Sequence, residues 1–174
     1  MNNSRKRSWR HPYHNYKNGG YYFITIVTKD RKPYFGKIQN GKMICSNHGN
    51  FARNHWLKIP KYCEGVVLDD FVIMPEHIHG ILYLNKSKNE SLRADKARSW
   101  QSTWSQSLSS VVRGYKTGVT KYFRSLGNYE FGWVASYHDH IIKCNEDLLL
   151  FRRYIKNNPR EYKGISLTSE DELL

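Results

Sequence analysis

Apolar and polar positions divide the chain into a short series of elements. The run "YYFITIVT", Tyr21–Thr28, is aromatic and β-branched and reads as a strand. "YFGKIQNGKMIC" places Asn40-Gly41 between two short apolar stretches, the signal for a tight hairpin whose turn residues both need positive φ. Asn50 predicts the N-cap of a short helix that runs to about Ile59 and is closed by Pro60. In "VVLDDFVIMPEHIHGILYL", Val66–Leu68 and Phe71–Ile73 read as one strand and Ile78–Leu84 as the next, with Pro75 and Glu76 turning the chain between them. Leu108, Val111, Val112, Tyr115, Val119, Tyr122 and Phe123 then recur at spacings of three and four, the stripe of an amphipathic helix. Trp133–Ile142 reads as a last strand. Asn145 predicts the cap of a last helix with Glu146 and Asp147 in its first turn, stopped at Asn158 by Pro159.

The remaining segments lack periodicity. Residues 1–20 are basic and aromatic and read as a flexible arm, residues 85–103 as a long polar loop, and residues 163–174 as a peripheral tail, which leaves 21–162 as one domain. Without the hairpin and the last helix the order is βαββαβ. The expected fold class is α+β: a ferredoxin-like βαββαβ core with an antiparallel sheet, an inserted N-terminal β-hairpin and an added C-terminal helix. Helices are expected on one face of that sheet, with the other face free for a ligand.

Composition narrows the function. A chain of 174 residues suffices for one domain with a core, and it holds no apolar run long enough to span a bilayer. The basic N-terminus has no apolar stretch of the secretory type, so a cytoplasmic protein is expected. Cys45, Cys63 and Cys144 lie far apart, form no CxxC pair and fit a reducing cytosol. The net charge of +13, with 14% aromatic residues and 13 tyrosines, favours a nucleic-acid partner, because basic groups attract phosphates and aromatic faces stack on unpaired bases. A membrane surface is the lesser option, since no basic amphipathic helix stands out. Arg5, Lys6, Arg7 and Arg10 in the arm, with Arg113 and Lys116 on the polar face of the middle helix, are the candidate DNA contacts. The plainer reading of that helix face is a solvated surface.

Two groups of residues carry candidate chemistry. His77 and His79 lie two apart on a strand and so share a face, side by side. That suits a metal ion or a phosphate, although two strand-end histidines satisfied by water would read the same way. Tyr154 and Asn158 lie four apart in "NEDLLLFRRYIKNNP" and share a helix face. A tyrosine oxygen can attack a phosphodiester and form a covalent intermediate, given help from a base or cation. Two imidazoles and an amide oxygen could hold a divalent metal with positions open for water and a phosphate oxygen. The plainer reading is a half-buried core tyrosine and a helix-capping asparagine.

Taken jointly, "YYFITIVTKDRKPYFGKIQNGKM", "LDDFVIMPEHIHGILYL", "VVRGYKTGVTKYF" and "SYHDHIIKCNEDLLLFRRYIKNNPREY" resemble, in order, stretches of the HUH-type single-tyrosine transposases, specifically the REP-associated tyrosine transposases related to the insertion-sequence-200 group. The resemblance spans roughly residues 20–162. It implies that His77 and His79 are metal ligands, that Asn158 supplies a third ligand and that Tyr154 on the added C-terminal helix is the nucleophile. His140 falls on a histidine common in the family, as a phosphate contact or a structural residue. The implied cofactor is Mg²⁺ or Mn²⁺. The implied activity is cleavage and rejoining of single-stranded DNA near hairpin-forming repeats, through a 5′-phosphotyrosine and a free 3′-hydroxyl. Such relatives include dimers and monomers, so a homodimer or a monomer fits.

Rival readings predict different behaviour. A non-catalytic single-stranded nucleic-acid-binding module, or a degenerate transposase, would bind without a covalent adduct. A zinc protein built on His77, His79, His138 and His140 would hold zinc without depending on Tyr154.

Overall fold

The computed structural model describes residues 19–85 and 107–163. The arm with Arg5, Lys6, Arg7 and Arg10, nearly all of the 85–103 loop and the tail beyond residue 163 lie outside the described residues.

The chain opens with β1 (Gly20–Val27), then a hairpin of β2 (Gly36–Gln39) and β3 (Lys42–Cys45). Asn40 and Gly41 take φ of 52° and 66°, as a two-residue turn between right-twisted strands requires. Helix α1 (Asn47–Leu57) and the short α2 (Ile59–Tyr62) lead into β4 (Val66–Ile73) and β5 (His77–Leu84). Helix α3 (Leu108–Ser125), β6 (His138–Ile142) and α4 (Asn145–Glu161) complete the described chain. The four long strands form one sheet in the order β4-β5-β1-β6 with every neighbour antiparallel, the ferredoxin-like arrangement; β2 and β3 form a separate ribbon.

Alternation along β1 and β5 assigns the two faces. Tyr22, Ile24, Ile26, Ile78, Leu82 and Leu84 enter the main core with Trp56 of α1 and Val111, Val112, Tyr115 and Val119 of α3. Gly80 lies on this face, where an added Cβ would sit 2.3 Å from Cζ2 of Trp56, so the strand has no side chain where the indole crosses it. The opposite face of the sheet is not free. Leu148 and Ile155 of α4 pack there on Ile81 and Ile142, beside Tyr21, Phe23, Val72 and Phe151, so the sheet is covered on both sides. The apolar stripe 148–151–155 requires this, because a helix so patterned must bury that side.

Several boundaries differ from those read in the sequence, each for an identifiable reason. Helix α1 starts earlier because Ser46, not Asn50, caps it: the Ser46 hydroxyl accepts from the Gly49 N–H at 3.1 Å and donates to the Tyr34 carbonyl. Pro60 does not close that helix but sits in the first turn of α2, where a missing N–H costs nothing. The last strand is shorter than 133–142. Trp133 only bridges Thr28, and the carbonyls of Val134 and Ser136 accept instead from the Lys116 ammonium at 2.9 and 2.7 Å. Helix α4 has Cys144 at its N-cap position and runs through Pro159 to Glu161, since the bond that proline forfeits falls in the last turn. The break at Asp69-Asp70 is a bulge within one strand: Leu68 pairs with Leu82, and Phe71 with Gly80.

Candidate active site

Because β5 alternates, the histidines fall on the face away from the main core. His77 pairs with Val27 and His79 with Thr25 of β1, and their rings lie 4.5 Å apart. Each ring is anchored through Nδ1. The Glu76 carboxylate Oε1 lies 2.8 Å from Nδ1 of His77, and the Thr25 hydroxyl lies 2.9 Å from Nδ1 of His79. A carboxylate only accepts, so Nδ1 of His77 is the donor in this bond. Burial, and secondarily the neighbouring His77, holds the His79 imidazole well below the usual histidine range, so it is neutral.

Helix α4 brings Tyr154 to this pair. Its hydroxyl lies 3.4 Å from Nε2 of His79, across 75 positions of sequence. Phe23 supports both groups, stacked on His79 at 5.3 Å and edge-on to Tyr154 at 5.9 Å, and Phe151 stacks on Phe23 in turn at 4.5 Å. Tyr154 remains 40% exposed. Arg152, two residues earlier, grips Asp69 in the β4 bulge with two bonds of 2.8 and 2.6 Å, which fixes α4 against the sheet. That guanidinium holds the Asp69 carboxyl below the usual aspartate range.

Glu76 has a larger part than the sequence alone suggests, where it reads only as a turn residue. It is 3% exposed, and its second oxygen accepts from the Tyr162 hydroxyl at 2.9 Å. Burial pushes its carboxyl up, but the hydrogen bonds from His77 and Tyr162 outweigh this and hold it below the usual glutamate range. The available signal is an acid directly before the paired histidines. Thr25, Phe23 and Tyr162 leave no such signal, since strand pairing and the helix path bring them in.

The other candidates fall further along α4 or on other elements. Asn158 lies one turn beyond Tyr154 on the same side of α4, half-buried, and makes no hydrogen bond to either histidine. His140 is exposed on β6, with β1 between it and β5, and its ring packs on Phe151 at 5.0 Å. His138 shares that strand, so the two His-x-His pairs are separated by a full strand and do not converge as a zinc site would need. Arg113 lies exposed on α3, whereas the Lys116 ammonium is committed to the two loop carbonyls. Among the described residues no group of three or more His, Cys, Asp or Glu side chains is placed to hold a metal, and both Glu76 oxygens are taken. A cation at the paired imidazoles would therefore draw further ligands from an amide, a phenol, water or substrate.

No family model matches the chain. An uncharacterised protein of Haemophilus influenzae is 37% identical over 158 residues, which span 88% of each chain. The chain belongs to the same family as that protein. Among solved structures, a REP-associated tyrosine transposase bound to a REP hairpin superposes over 92% of this chain and 76% of its own, with a TM-score of 0.62 and 18% identity. The fold is thus that of a REP-associated tyrosine transposase. A candidate transposase of Deinococcus radiodurans, 14% identical, covers 87% of this chain and 96% of its own with a TM-score of 0.42, too low to define a shared fold. No helix among the described residues is long and apolar enough to cross a membrane.

Proposed function

We propose that this protein is a metal-dependent DNA strand transferase of the HUH tyrosine-transposase type, acting on single-stranded DNA beside hairpin-forming repeats. The observation that carries the reading is the meeting of the Tyr154 oxygen with Nε2 of His79, next to His77, at 3.4 Å on a fold shared with a hairpin-bound transposase. Two imidazoles 4.5 Å apart on one strand face, each with Nδ1 anchored, fit a divalent cation, Mg²⁺ or Mn²⁺, with the Asn158 amide as third ligand. The cation, when bound, would orient the scissile phosphate and offset its developing charge.

The chain's own residues supply the rest. The Tyr154 oxygen attacks phosphorus, the bond to the 3′-oxygen breaks, and that oxygen takes up a proton as the phenol loses its own. The phosphodiester energy is kept in the phosphotyrosine, so the 3′-hydroxyl or another strand end can reverse the step without ATP. Phe23 and the Arg152–Asp69 clamp keep the phenol on the sheet face through both directions. The net charge of +13 draws the DNA backbone to the protein.

The test is incubation of the full chain with single-stranded hairpin oligonucleotides and Mg²⁺ or Mn²⁺, read on a denaturing gel. A covalent protein–DNA band is expected, lost with a chelator and lost in folded His77→Ala or His79→Ala variants. Binding without a band on any hairpin, with either metal, would instead make the protein a nucleic-acid-binding module.

A further inference from the structure

Among the described residues the buried polar or charged side chains are Thr28, Glu76 and His79; Thr28 and Glu76 are joined by hydrogen bonds, and His79 meets them through the ring of His77. Thr28 holds the Glu76 carbonyl twice, from its N–H at 2.8 Å and from its hydroxyl at 2.9 Å. The Glu76 carboxylate is thereby set in place, with Oε1 on His77 and Oε2 on Tyr162. A buried carboxylate is costly unless its oxygens are hydrogen-bonded, so its position between these two groups is informative. Tyr162 is the C-cap residue of α4, two turns beyond Tyr154. The same end of α4 rests on the hairpin tip, where the Arg160 stem lies against Gly41.

We propose that Glu76 and Tyr162 are positioning residues that couple the seating of the Tyr154-bearing helix to the cation site at His77. Glu76 fixes the tautomer and ring plane of His77, which leaves Nε2 available as a ligand. Tyr162 fixes the Glu76 carboxylate in turn and, in the same bond, ties down the end of α4. A cation drawn to His77 therefore favours the docked helix, and a docked helix favours the cation, because such coupling is reciprocal. This rests on the metal-dependent reading above. It adds a route by which the nucleophile is presented only when the cation site is formed.

The experiment measures Mn²⁺ binding to the full chain by electron paramagnetic resonance, alongside melting temperature without metal. Glu76→Gln should weaken Mn²⁺ binding by about 10- to 100-fold, the usual loss when a ligand histidine's outer partner is changed. Tyr162→Phe keeps the ring and removes one donor; it should weaken binding by roughly threefold to tenfold. The double variant should bind no more weakly than Glu76→Gln alone, because Tyr162 acts through Glu76. Unchanged Mn²⁺ affinity in Tyr162→Phe, with or without a lower melting temperature, would overturn the coupling and leave the metal reading standing. Fully additive losses in the double variant would overturn it as well. A wild-type chain that binds no Mn²⁺ would overturn both. If Glu76→Gln does not fold, Tyr162→Phe alone still decides.

Discussion

Replacing Tyr154 with phenylalanine deletes one oxygen and keeps the ring that Phe23 and His79 hold edge-on. The hydroxyl's approach to Nε2 of His79 is long, 3.4 Å, outside the range of a strong hydrogen bond. A good neutral hydrogen bond contributes about 0.5–1.5 kcal/mol net, so this one, on a partly exposed group, contributes under about 0.5 kcal/mol. The melting temperature should therefore fall by no more than about 2 °C. Hairpin affinity should change by less than about threefold, since 1.4 kcal/mol corresponds to tenfold. Chemistry should behave differently, because loss of an attacking group costs on the order of 10⁶-fold. The covalent band should vanish from a denaturing gel while a native gel still shows the hairpin bound. Among the described residues, Tyr162 and Tyr115 are both committed elsewhere. The Tyr162 hydroxyl is donated to Glu76, and Tyr115 is buried in the main core with its hydroxyl on the Ala52 carbonyl. A phosphotyrosine formed by Tyr154→Phe would refute the assignment; a mapped adduct on Tyr162 would refute the positioning role given to that residue too.

Two further outcomes follow from the packing. Gly80→Ala places a methyl 2.3 Å from the Trp56 ring, which is fully buried and cannot step aside, so overpacking should cost about 1–3 kcal/mol, read as a lower midpoint in urea unfolding; an unchanged midpoint would show that the strand and α1 yield freely. Burial pushes the Lys116 ammonium down to about 8, so the folded chain sheds that proton before the unfolded chain does, and stability attributable to this group should rise between about pH 8 and the ordinary lysine range near 10.4. Thermal melts of wild type and Lys116→Met across that window should show the wild type gaining relative to the variant, and parallel pH profiles would contradict it.

Two kinds of element are legible in the sequence. The stripe of α3 is dictated by a single core, so period alone identifies it, while β1, which meets both cores, is legible from its run of aromatic and β-branched residues. The Asn40-Gly41 turn is legible because its backbone geometry restricts residue type. The element ends that differ have the opposite character. Ser46 outcompetes Asn50 because a hairpin strand delivers it to the Tyr34 carbonyl, a contact from another part of the chain. Val134 and Ser136 look like strand residues, yet Lys116 reaches across from α3 and takes their carbonyls. The covered second sheet face escapes a reading of the last helix for its chemistry alone. The spacing of Leu148 and Ile155 carries the information that this helix must also bury a side.

That second face also accounts for the histidines in a buried strand. β5 sends Ile78, Leu82 and Leu84 into the main core and leaves His77, His79, Ile81 and Tyr83 to the other side. On that side the helix seals only part of the strand. Ile81 is covered by Leu148 and Ile155, while two residues nearer the strand's start the cover gives way to Tyr154, and at His77 to the carboxylate of Glu76. A strand can therefore be apolar throughout on one face and change from core packing to polar, hydrogen-bonded side chains along the other. Imidazole suits the changeover, because its ring packs on Phe23 as an aromatic while Nδ1 meets Thr25 and Nε2 faces Tyr154. Burial keeps the ring neutral, and a neutral ring with one anchored nitrogen is the form that offers a lone pair. The helix that completes the hydrophobic cover is also the one that carries the phenol. Stability of the second core and placement of Tyr154, the proposed nucleophile, are then a single requirement, which the Arg152 clamp at Asp69 and the Tyr162 bond at Glu76 meet on either side of Tyr154.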